Sequence, residues 1–228
     1  MCGRFFVEGE RENELLDRMI AEAERRQAAL VGERGVARGE VLPTSVVAAI
    51  AVGKSGEAGV FPMRWGFRRA DGRGLVINTR SETAFSRPAV MPERRCLIPC
   101  SWYYEWETRD AQPGLLEDFA EDALPAFQAG ESAPAKKRAR GQTLRVKYAI
   151  RPRASGVMYL AAVYRYEADQ KLPALSILTR SPAPEIAFIH DRMPVIFSQE
   201  NVAAWLDRSA DPQGALALCE TAMAFRKA

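Results

Sequence analysis

Short runs of apolar residues, rich in β-branched and aromatic side chains, recur along this chain with turn-forming residues between them. The run SVVAAIAV at residues 45–52 follows Pro43 and stops at Gly53. Comparable runs read GLVINTR, CLIPCSWYYEW, VKYAIRP, VMYLAAVYRYE and ALSILTR, and RFFV near the amino terminus is a shorter one. Segments of this length and composition are typical of β-strands. Their close spacing favours a largely antiparallel sheet over a regular alternation of strands and helices.

Helical periodicity is limited to a few stretches. Between residues 10 and 30, apolar residues recur at helical spacing among charged ones, which predicts an amphipathic helix. The stretch SQENVAAWLD at 198–207 begins with residues suited to a helix amino terminus, and QGALALCETAMAF at 213–225 predicts a last helix. We therefore expect an α+β fold, with a mainly antiparallel β core flanked by helices, in a single domain of residues 1–228.

One segment interrupts this pattern. Residues 109–142 change from acidic through Ala-, Pro- and Gly-rich to basic composition between two strand-like runs. Such a composition lacks the apolar residues that a packed core needs, so we expect a surface insertion here. Its basic run KKRAR could contact nucleic acid, although a solvated charge cluster is the commoner explanation.

The net charge does not indicate a particular partner, and the hydropathy pattern argues against a membrane-spanning or secreted protein. A formal net charge of +3 on 228 residues is ordinary for a protein surface and does not by itself require a nucleic-acid partner. The sequence has no run of about 18 or more uncharged apolar residues, and its amino terminus lacks the pattern of a signal peptide. We therefore expect a cytoplasmic protein that does not bind membranes, and we expect it to be monomeric.

The cysteines and the histidine do not form a metal-binding pattern. Cys96 and Cys100 have neither disulfide-framework nor zinc-ligand spacing, and His190 is the only histidine. Because thiols stay reduced in the cytoplasm, we expect Cys96 and Cys100 to be free and structural. The sequence therefore predicts no metal and no cofactor.

The amino terminus reads MCGRFF, which places Cys2 directly after the initiator methionine. Removal of Met1, by an aminopeptidase or by the protein itself, would leave a 1,2-aminothiol. When unperturbed, its amine has a pKa of about 7.7–8.0 and its thiol a pKa of about 8.5, so both are nucleophiles near neutral pH. The alternative is that Cys2 is a small buried apolar residue, which is the commoner role of a lone cysteine.

Three polar residues stand out in apolar surroundings. His190 lies in FIHDRMPVIF beside an aspartate and an arginine, where a structural and a chemical role are equally open. Glu105 is embedded among the aromatic residues of SWYYEW. If it points inward it is a candidate proton donor, and if it points outward it is an ordinary strand residue. Asn78 ends the apolar run in INTRSET, where a turn or cap is its usual role.

Taken together, these segments resemble the SRAP (SOS response-associated peptidase) family, whose members recognise abasic sites in single-stranded DNA. The resemblance rests on MCGRF, WGF at 65–67, INTRSET at 77–83, RRCLIPCSWYYEW at 94–106 and IHDRMPVI at 189–196. These motifs occur in the order typical of the family and cover most of the chain outside the insertion. The resemblance implies a β-barrel-like core with flanking helices.

The resemblance also implies that Cys2, Asn78, Glu105 and His190 converge on one pocket. Glu105 would help to open the closed sugar of an abasic site, and the Cys2 amine would condense with the resulting aldehyde to a Schiff base. Closure by the Cys2 thiol would then give a thiazolidine, which links protein and DNA covalently. Asn78 would orient the reacting groups, and His190 would move a proton or contact a phosphate.

DNA contacts and side activities are implied as well. By the resemblance, Arg4, Arg80 and Arg192 are expected at backbone phosphates, and Trp65 and Phe67 are expected at exposed bases. Strand cleavage by β-elimination would be a lyase activity, and removal of the protein's own Met1 would be a peptidase activity. The resemblance implies a function in DNA repair during the SOS response. The absence of a targeting segment leads us to expect a cytoplasmic or nucleoid-associated protein.

Two other functions remain open at the level of sequence. Cys2 could attack an amide carbonyl as the nucleophile of an N-terminal amidohydrolase or peptidase, which would turn over rather than be consumed. A non-catalytic module that binds single-stranded DNA would not need the Cys2 thiol at all.

Overall fold

Sheets and a few helices make up the fold, seen in a computed structural model that describes residues 2–9, 13–87, 90–110, 143–154 and 156–228. The helices are α1 (Glu14–Val31), α2 (Ser81–Ala84), α3 (Val202–Leu206) and α4 (Pro212–Leu216). The strands are β1 (Arg4–Val7), β2 (Gly39–Val41), β3 (Val46–Val52), β4 (Ala58–Trp65), β5 (Phe67–Arg68), β6 (Leu75–Val76), β7 (Asn78–Arg80), β8 (Arg95–Cys100), β9 (Trp102–Asp110), β10 (Thr143–Pro152), β11 (Met158–Arg165), β12 (Ala174–Arg180), β13 (Met193–Pro194), β14 (Ile196–Phe197) and β15 (Met223–Lys227). The expected α+β class is confirmed.

Two sheets carry the core, and β5 and β6 form a separate small hairpin. The five-stranded sheet has the order β15–β10–β9–β1–β2, and the eight-stranded sheet has the order β13–β12–β4–β3–β8–β11–β14 with β7 beside β12. Since β11 also pairs with β12, the pairings of β12, β4, β3, β8 and β11 close into a cycle. Strand pairings in the described residues are antiparallel except those of β12 with β4 and β7, which confirms the mainly antiparallel core. The barrel-like part of the expectation stays a prediction.

Helix α1 begins and ends at residues that satisfy its free backbone groups. The Asn13 side chain accepts a hydrogen bond from the Leu16 N–H at 3.2 Å, and Gly32 ends the helix in the left-handed conformation with φ 78°. The buried face, which includes Ile20 and Ala23, packs on β3 and β4. The predicted amphipathic helix is confirmed. No helix in the described part of the chain is long and apolar enough to cross a bilayer.

The run CLIPCSWYYEW forms two strands rather than one. β8 ends at Cys100 in the eight-stranded sheet, and β9 begins at Trp102 in the five-stranded sheet, so Ser101 lies where the chain crosses between them. The Ser101 N–H donates to the Phe6 carbonyl at 2.9 Å and ties this crossing to β1. The crossing brings β9, which carries Glu105, next to the amino-terminal strand.

The last helix predicted for residues 213–225 is wrong over its second half. α4 ends at Leu216, and Met223 and Ala224 belong to β15. Both residues are buried, and β15 pairs with β10, which gives hydrogen-bond partners to backbone groups on both strands. Pairing with a strand far away in the sequence is a tertiary effect that local periodicity does not report.

The insertion expected at 109–142 begins two residues too early, because β9 runs to Asp110 and pairs directly with β10. Arg109 and Asp110 end β9 and pair with Leu144 and Thr143 of β10, so the two strands form a long antiparallel hairpin. Residues 111–142, with the KKRAR run, lie outside the described residues. The surface position of the insertion therefore stays a prediction.

Candidate active site

Cys2 is completely buried just before β1. Its thiol contacts the Arg4 carbonyl, with 3.7 Å between Sγ and the oxygen. Burial, together with the negative charge of Glu105, raises the pKa of the Cys2 thiol to about 12, although the positive charge of the amino terminus acts in the opposite direction. The thiol therefore carries its proton at neutral pH in the DNA-free protein.

Asn78 connects Cys2 to the eight-stranded sheet. It is the first residue of β7, a strand that runs parallel to β12 with Asn78 opposite Ile177. Its Nδ2 donates a hydrogen bond to the Cys2 carbonyl at 2.9 Å. The Asn78 Oδ1 is buried and accepts no hydrogen bond from the described residues. This oxygen can therefore accept a hydrogen bond from an amine or hydroxyl group placed beside Cys2.

Glu105 points into the fold, where only 5% of its surface is exposed. The pairing of β1 with β9 sets Phe5 opposite Tyr103, and alternate side chains of β9 lie on the same buried side. The Glu105 Oε1 accepts a hydrogen bond from the Trp106 N–H at 3.3 Å. Because the Glu105 charge raises the pKa of the Cys2 thiol, the carboxylate and the thiol lie within electrostatic reach of each other.

A cleft of about 470 Å³ opens beside Asn78. His190 lies on its wall, where its Nδ1 accepts a hydrogen bond from the Arg192 N–H at 3.1 Å and lies 2.7 Å from the Asp191 Oδ1. Both contacts are made by Nδ1: without a proton this atom accepts from the Arg192 N–H, and with a proton it donates to Asp191. The residues that line the cleft are Asn78, Arg80, Arg87, Thr179, His190, Asp191 and Arg192.

The four residues that we predicted to take part in the reaction fall into two groups joined by a hydrogen bond. Asn78 and His190 line the cleft, whereas Cys2 and Glu105 are buried and are not part of its lining. The hydrogen bond from Asn78 to Cys2 joins the two groups. Asn78 therefore lies between the cleft and the main chain of Cys2.

The predicted DNA-binding arginines differ in their availability. Arg80 lines the cleft, is exposed and forms no ion pair with another described residue. Arg192 also lines the cleft, but its guanidinium forms a two-pronged ion pair with Glu82. Arg4 does not line the cleft: it pairs with Glu40 and lies 5.2 Å from the centre of the Trp106 ring. Of the three arginines, Arg80 is the one that lines the cleft without an ion pair to another described residue, although its charge contributes to the lowered pKa of Glu82.

Trp65 and Phe67 are core residues in the structure, which corrects their expected role at exposed bases. Trp65 is fully buried, donates its indole N–H to the Ile77 carbonyl at 3.0 Å and packs against Phe5 with 5.1 Å between ring centres. Phe67 is 5% exposed and lies beneath the guanidinium of Arg165. Rings covered in this way present no face on which a base could stack.

Arg87 and Thr179 line the cleft although sequence reasoning did not select them. Arg87 is exposed and, like Arg80, forms no ion pair with the described residues. Its place a few residues after INTRSET is the one sequence signal that pointed to it. Thr179 is on β12, next to Arg80 in the parallel register, and only the strand pairing reveals its position.

Thiol reactivity provides a direct test of the buried position of Cys2. Cys2, Cys96 and Cys100 are buried, whereas Cys219 is partly exposed. We expect an aromatic disulfide reagent at pH 8 to modify Cys219 rapidly in the folded protein and the other thiols only after denaturation, because burial keeps them protonated and covered. The measurement is the number of thiols that react with and without denaturant, with Cys219→Ser as the control. Rapid modification of Cys2 in the folded control would contradict the buried position.

The chain is similar in sequence to one family and to several curated proteins. Residues 1–226 match the family model described as SOS response associated peptidase (SRAP). The abasic site processing protein YoqW of Bacillus subtilis is 24% identical over 224 residues, which cover 93% of this chain and 83% of that protein. The abasic site processing protein YoaM of the same organism is 25% identical over 220 residues, which cover 91% of this chain and 79% of that protein.

Solved structures share the fold. A protein from Bacteroides thetaiotaomicron superposes with a TM-score of 0.66 at 16% identity, covering 99% of this chain and 91% of that one. A phage-related protein from Bordetella bronchiseptica gives a TM-score of 0.61 at 17% identity, covering 100% of this chain and 94% of that one. Likeness at such low identity concerns the fold alone.

Proposed function

Because the chain belongs to the SOS response associated peptidase (SRAP) family, we propose that it is a DNA repair enzyme that processes abasic sites in single-stranded DNA by forming a covalent adduct through Cys2. The names of the relatives YoqW and YoaM, abasic site processing proteins, support the substrate class. The observation that carries the proposal is the hydrogen bond from Asn78 to the Cys2 carbonyl. It supports the proposal because it links the amino-terminal residue to Asn78, which lines a cleft with exposed arginines.

The adduct forms in two steps whose atoms balance. After hydrolysis of the Met1–Cys2 bond, the Cys2 amine attacks the aldehyde of the ring-opened abasic sugar, and loss of one water gives a Schiff base. The Cys2 sulfur then bonds to the same carbon while the thiol proton moves to the nitrogen. The product is a five-membered thiazolidine that contains both nucleophilic atoms of residue 2.

The buried, protonated state of the Cys2 thiol favours attack by the amine before closure by the thiol. A thiol with a pKa of about 12 is a weak nucleophile at pH 7, so the amine attacks first and the thiol closes on the more electrophilic Schiff base. Removal of Met1 would bring the positive end of the chain closer to the sulfur. Since positive charge there lowers the pKa of the thiol, the protonated iminium formed from the amine would make the thiol easier to ionise as it closes the ring.

The surrounding residues supply proton transfer and orientation. Glu105 is buried and its charge acts on the Cys2 thiol, so it would relay the proton of the sugar hydroxyl to the ring oxygen as the ring opens, and the thiol proton to the nitrogen as the thiazolidine closes. The Asn78 Oδ1, buried and without a hydrogen bond from the described residues, would accept one from the Cys2 amine or the sugar hydroxyl. His190, at the wall of the cleft, would shuttle a proton or contact the phosphate next to the lesion.

Exposed arginines would hold the DNA backbone. Arg80 and Arg87 line the cleft without ion pairs to described residues, which suits them to bind phosphates next to the abasic sugar. Arg4 would contact DNA outside the cleft, beside the Trp106 ring that it covers. Strand cleavage by β-elimination from the Schiff base, and removal of Met1 by the protein itself, are the lyase and peptidase activities that this arrangement would allow.

Intact mass spectrometry tests the proposed function. After incubation with a single-stranded oligonucleotide that carries one abasic site, we expect a denaturation-resistant species with the mass of the protein without Met1 plus the DNA minus one water. The amount should saturate at one adduct per protein. The same oligonucleotide with thymidine in place of the lesion is the control and should give no adduct.

Two other results would contradict the proposal. Repeated turnover of an amide substrate without an adduct would favour an N-terminal amidohydrolase or peptidase. Reversible binding of the oligonucleotide with no covalent product at all would favour a non-catalytic DNA-binding module.

A further inference from the structure

The hydroxyl group of Tyr103 is buried and forms no hydrogen bond with the described residues. Tyr103 lies on β9, and only 1% of its surface is exposed. A buried hydroxyl without a partner makes the folded state less stable, and the large majority of buried polar groups in proteins are therefore paired. An exception calls for an explanation, such as a catalytic role or an enclosed water molecule.

Strand pairing places Tyr103 near the amino-terminal residue. Tyr103 is opposite Phe5 of β1 on one side and opposite Ile150 of β10 on the other. Cys2 lies just before β1, and its side chain belongs to the same buried cluster as those of Tyr103 and Phe5. Because alternate side chains of a strand share one face, Tyr103 and Glu105 lie on the same side of β9. The buried part of the candidate site therefore includes a phenol as well as a thiol and a carboxylate.

The charges of the candidate active site act on the Tyr103 hydroxyl. Burial raises the pKa of this hydroxyl well above its usual value, and negative charge on Cys2 and on Glu105 raises it further. Such an effect requires the hydroxyl to lie within electrostatic reach of both the sulfur and the carboxylate. The raised pKa also means that the hydroxyl keeps its proton near neutral pH. Tyr103 can therefore donate a hydrogen bond there, but it does not act as a base.

We propose that Tyr103 is a catalytic residue whose hydroxyl donates a hydrogen bond to the Cys2 sulfur as this sulfur loses its proton and closes the thiazolidine ring. The proposal rests on the proposed function in one respect, that Cys2 forms this ring. The sulfur–carbon bond forms, the thiol proton goes to the nitrogen, and Tyr103 keeps its own proton, so the atoms balance. A thiol is a weak hydrogen-bond acceptor, which fits a hydroxyl that has no partner before the reaction.

The hydrogen bond would be stronger during ring closure than before it. Hydrogen bonds to an ionised group are roughly twice as strong as those between neutral groups, so the hydroxyl stabilises the developing negative charge on sulfur more than it stabilises the thiol. A contact that strengthens in the transition state lowers the barrier. The buried Oδ1 of Asn78 is an acceptor and suits the Cys2 amine, whereas the Tyr103 hydroxyl is a donor and suits the sulfur.

Tyr103→Phe removes the hydroxyl and keeps the ring, so it separates catalysis from packing. We expect stable adduct with a single-stranded abasic oligonucleotide to form about 10- to 100-fold more slowly, the range that one hydrogen bond to a charged group supplies. The thermal midpoint of the DNA-free variant should equal or exceed that of the wild type, because an unpaired buried polar group is lost. Tyr159→Phe is the matched control: Tyr159 is equally buried, but its hydroxyl donates to Gln199. The control should form adduct at the wild-type rate and melt at a lower temperature.

Propanal in place of DNA makes ring closure measurable by itself. This small aldehyde condenses with the amine and thiol of residue 2 to the same kind of ring, and cyanoborohydride traps any imine that has not closed as a product two hydrogens heavier. Mass spectrometry of the amino-terminal peptide measures both products. We expect a larger share of trapped imine in Tyr103→Phe than in the wild type or Tyr159→Phe. If the wild type forms the ring with propanal but gives no adduct with abasic DNA, the proposed function fails alone and the effect of Tyr103→Phe is still measured.

Three results would overturn the inference. One is a Tyr103→Phe variant with the wild-type rate and the wild-type share of trapped imine, since the hydroxyl would then take no part in ring closure. Another is a lower thermal midpoint in Tyr103→Phe, since the hydroxyl would then have a structural partner such as an enclosed water molecule. The third is a wild type that forms no thiazolidine with either aldehyde, which would contradict the proposed function as well.

Discussion

Cys2→Ala should form no denaturation-resistant adduct, yet it should still form a Schiff base that cyanoborohydride can trap. The variant keeps the amine of residue 2 after Met1 is removed but loses the sulfur that closes the five-membered ring. The imine therefore stays open and hydrolyses when the protein is denatured. We expect the loss of stable adduct to be complete, and intact mass spectrometry with and without the reductant measures both species.

Cys219→Ala is the matched control for this experiment. It removes the partly exposed thiol and should leave the adduct unchanged. Because Cys2 is fully buried, its replacement by alanine is expected to cost about 1 kcal/mol of folding free energy, and a thermal melt shows whether the variant is folded. A Cys2→Ala protein that still gives the wild-type adduct mass minus one sulfur would show that the thiol takes no part in the linkage.

The periodicity of the sequence was sufficient to predict most elements of the fold. Helix α1 and strand β3 follow from local patterns, because helical spacing and β-branched runs determine which face each element buries. The prediction of a last helix was wrong at Met223 and Ala224, which belong to β15 and pair with β10. Such pairing depends on which strand edge lies nearby, and this information is not local to the segment.

The dependence on contacts between distant segments also explains why only part of the candidate site could be predicted from the sequence. Sequence motifs identified Asn78 and His190, and the structure places both at one cleft. Trp65 was expected at exposed bases from the family resemblance, whereas in the structure it packs against Phe5 and donates its indole N–H to the Ile77 carbonyl. The sequence also could not predict the ion pair between Arg192 and Glu82. The two residues are far apart in the chain, and the packing of α2 against β12 brings them together.

Glu105→Gln tests proton transfer in the buried part of the site, where two effects of the carboxylate oppose each other. The Glu105 charge raises the pKa of the Cys2 thiol, so an amide at this position should lower that pKa and make the thiol a better nucleophile. If Glu105 acted only through its charge, Glu105→Gln would form the adduct faster. If Glu105 transfers protons during ring opening and ring closure, the variant loses that transfer and forms the adduct more slowly.

We expect the loss of proton transfer to dominate, with the rate of adduct formation reduced about 10²- to 10⁴-fold and the final adduct still equal in mass to the trimmed variant plus the DNA minus one water. Time-resolved intact mass spectrometry at pH 7 measures the rate. Glu107→Gln is the matched control, because Glu107 is also a buried carboxylate of β9 but is bonded to Tyr148 and Arg109, and Glu105, not Glu107, acts on the pKa of the Cys2 thiol. An equal slowing in both variants would assign the effect to disturbance of β9, and a faster Glu105→Gln would limit Glu105 to an electrostatic influence on the thiol.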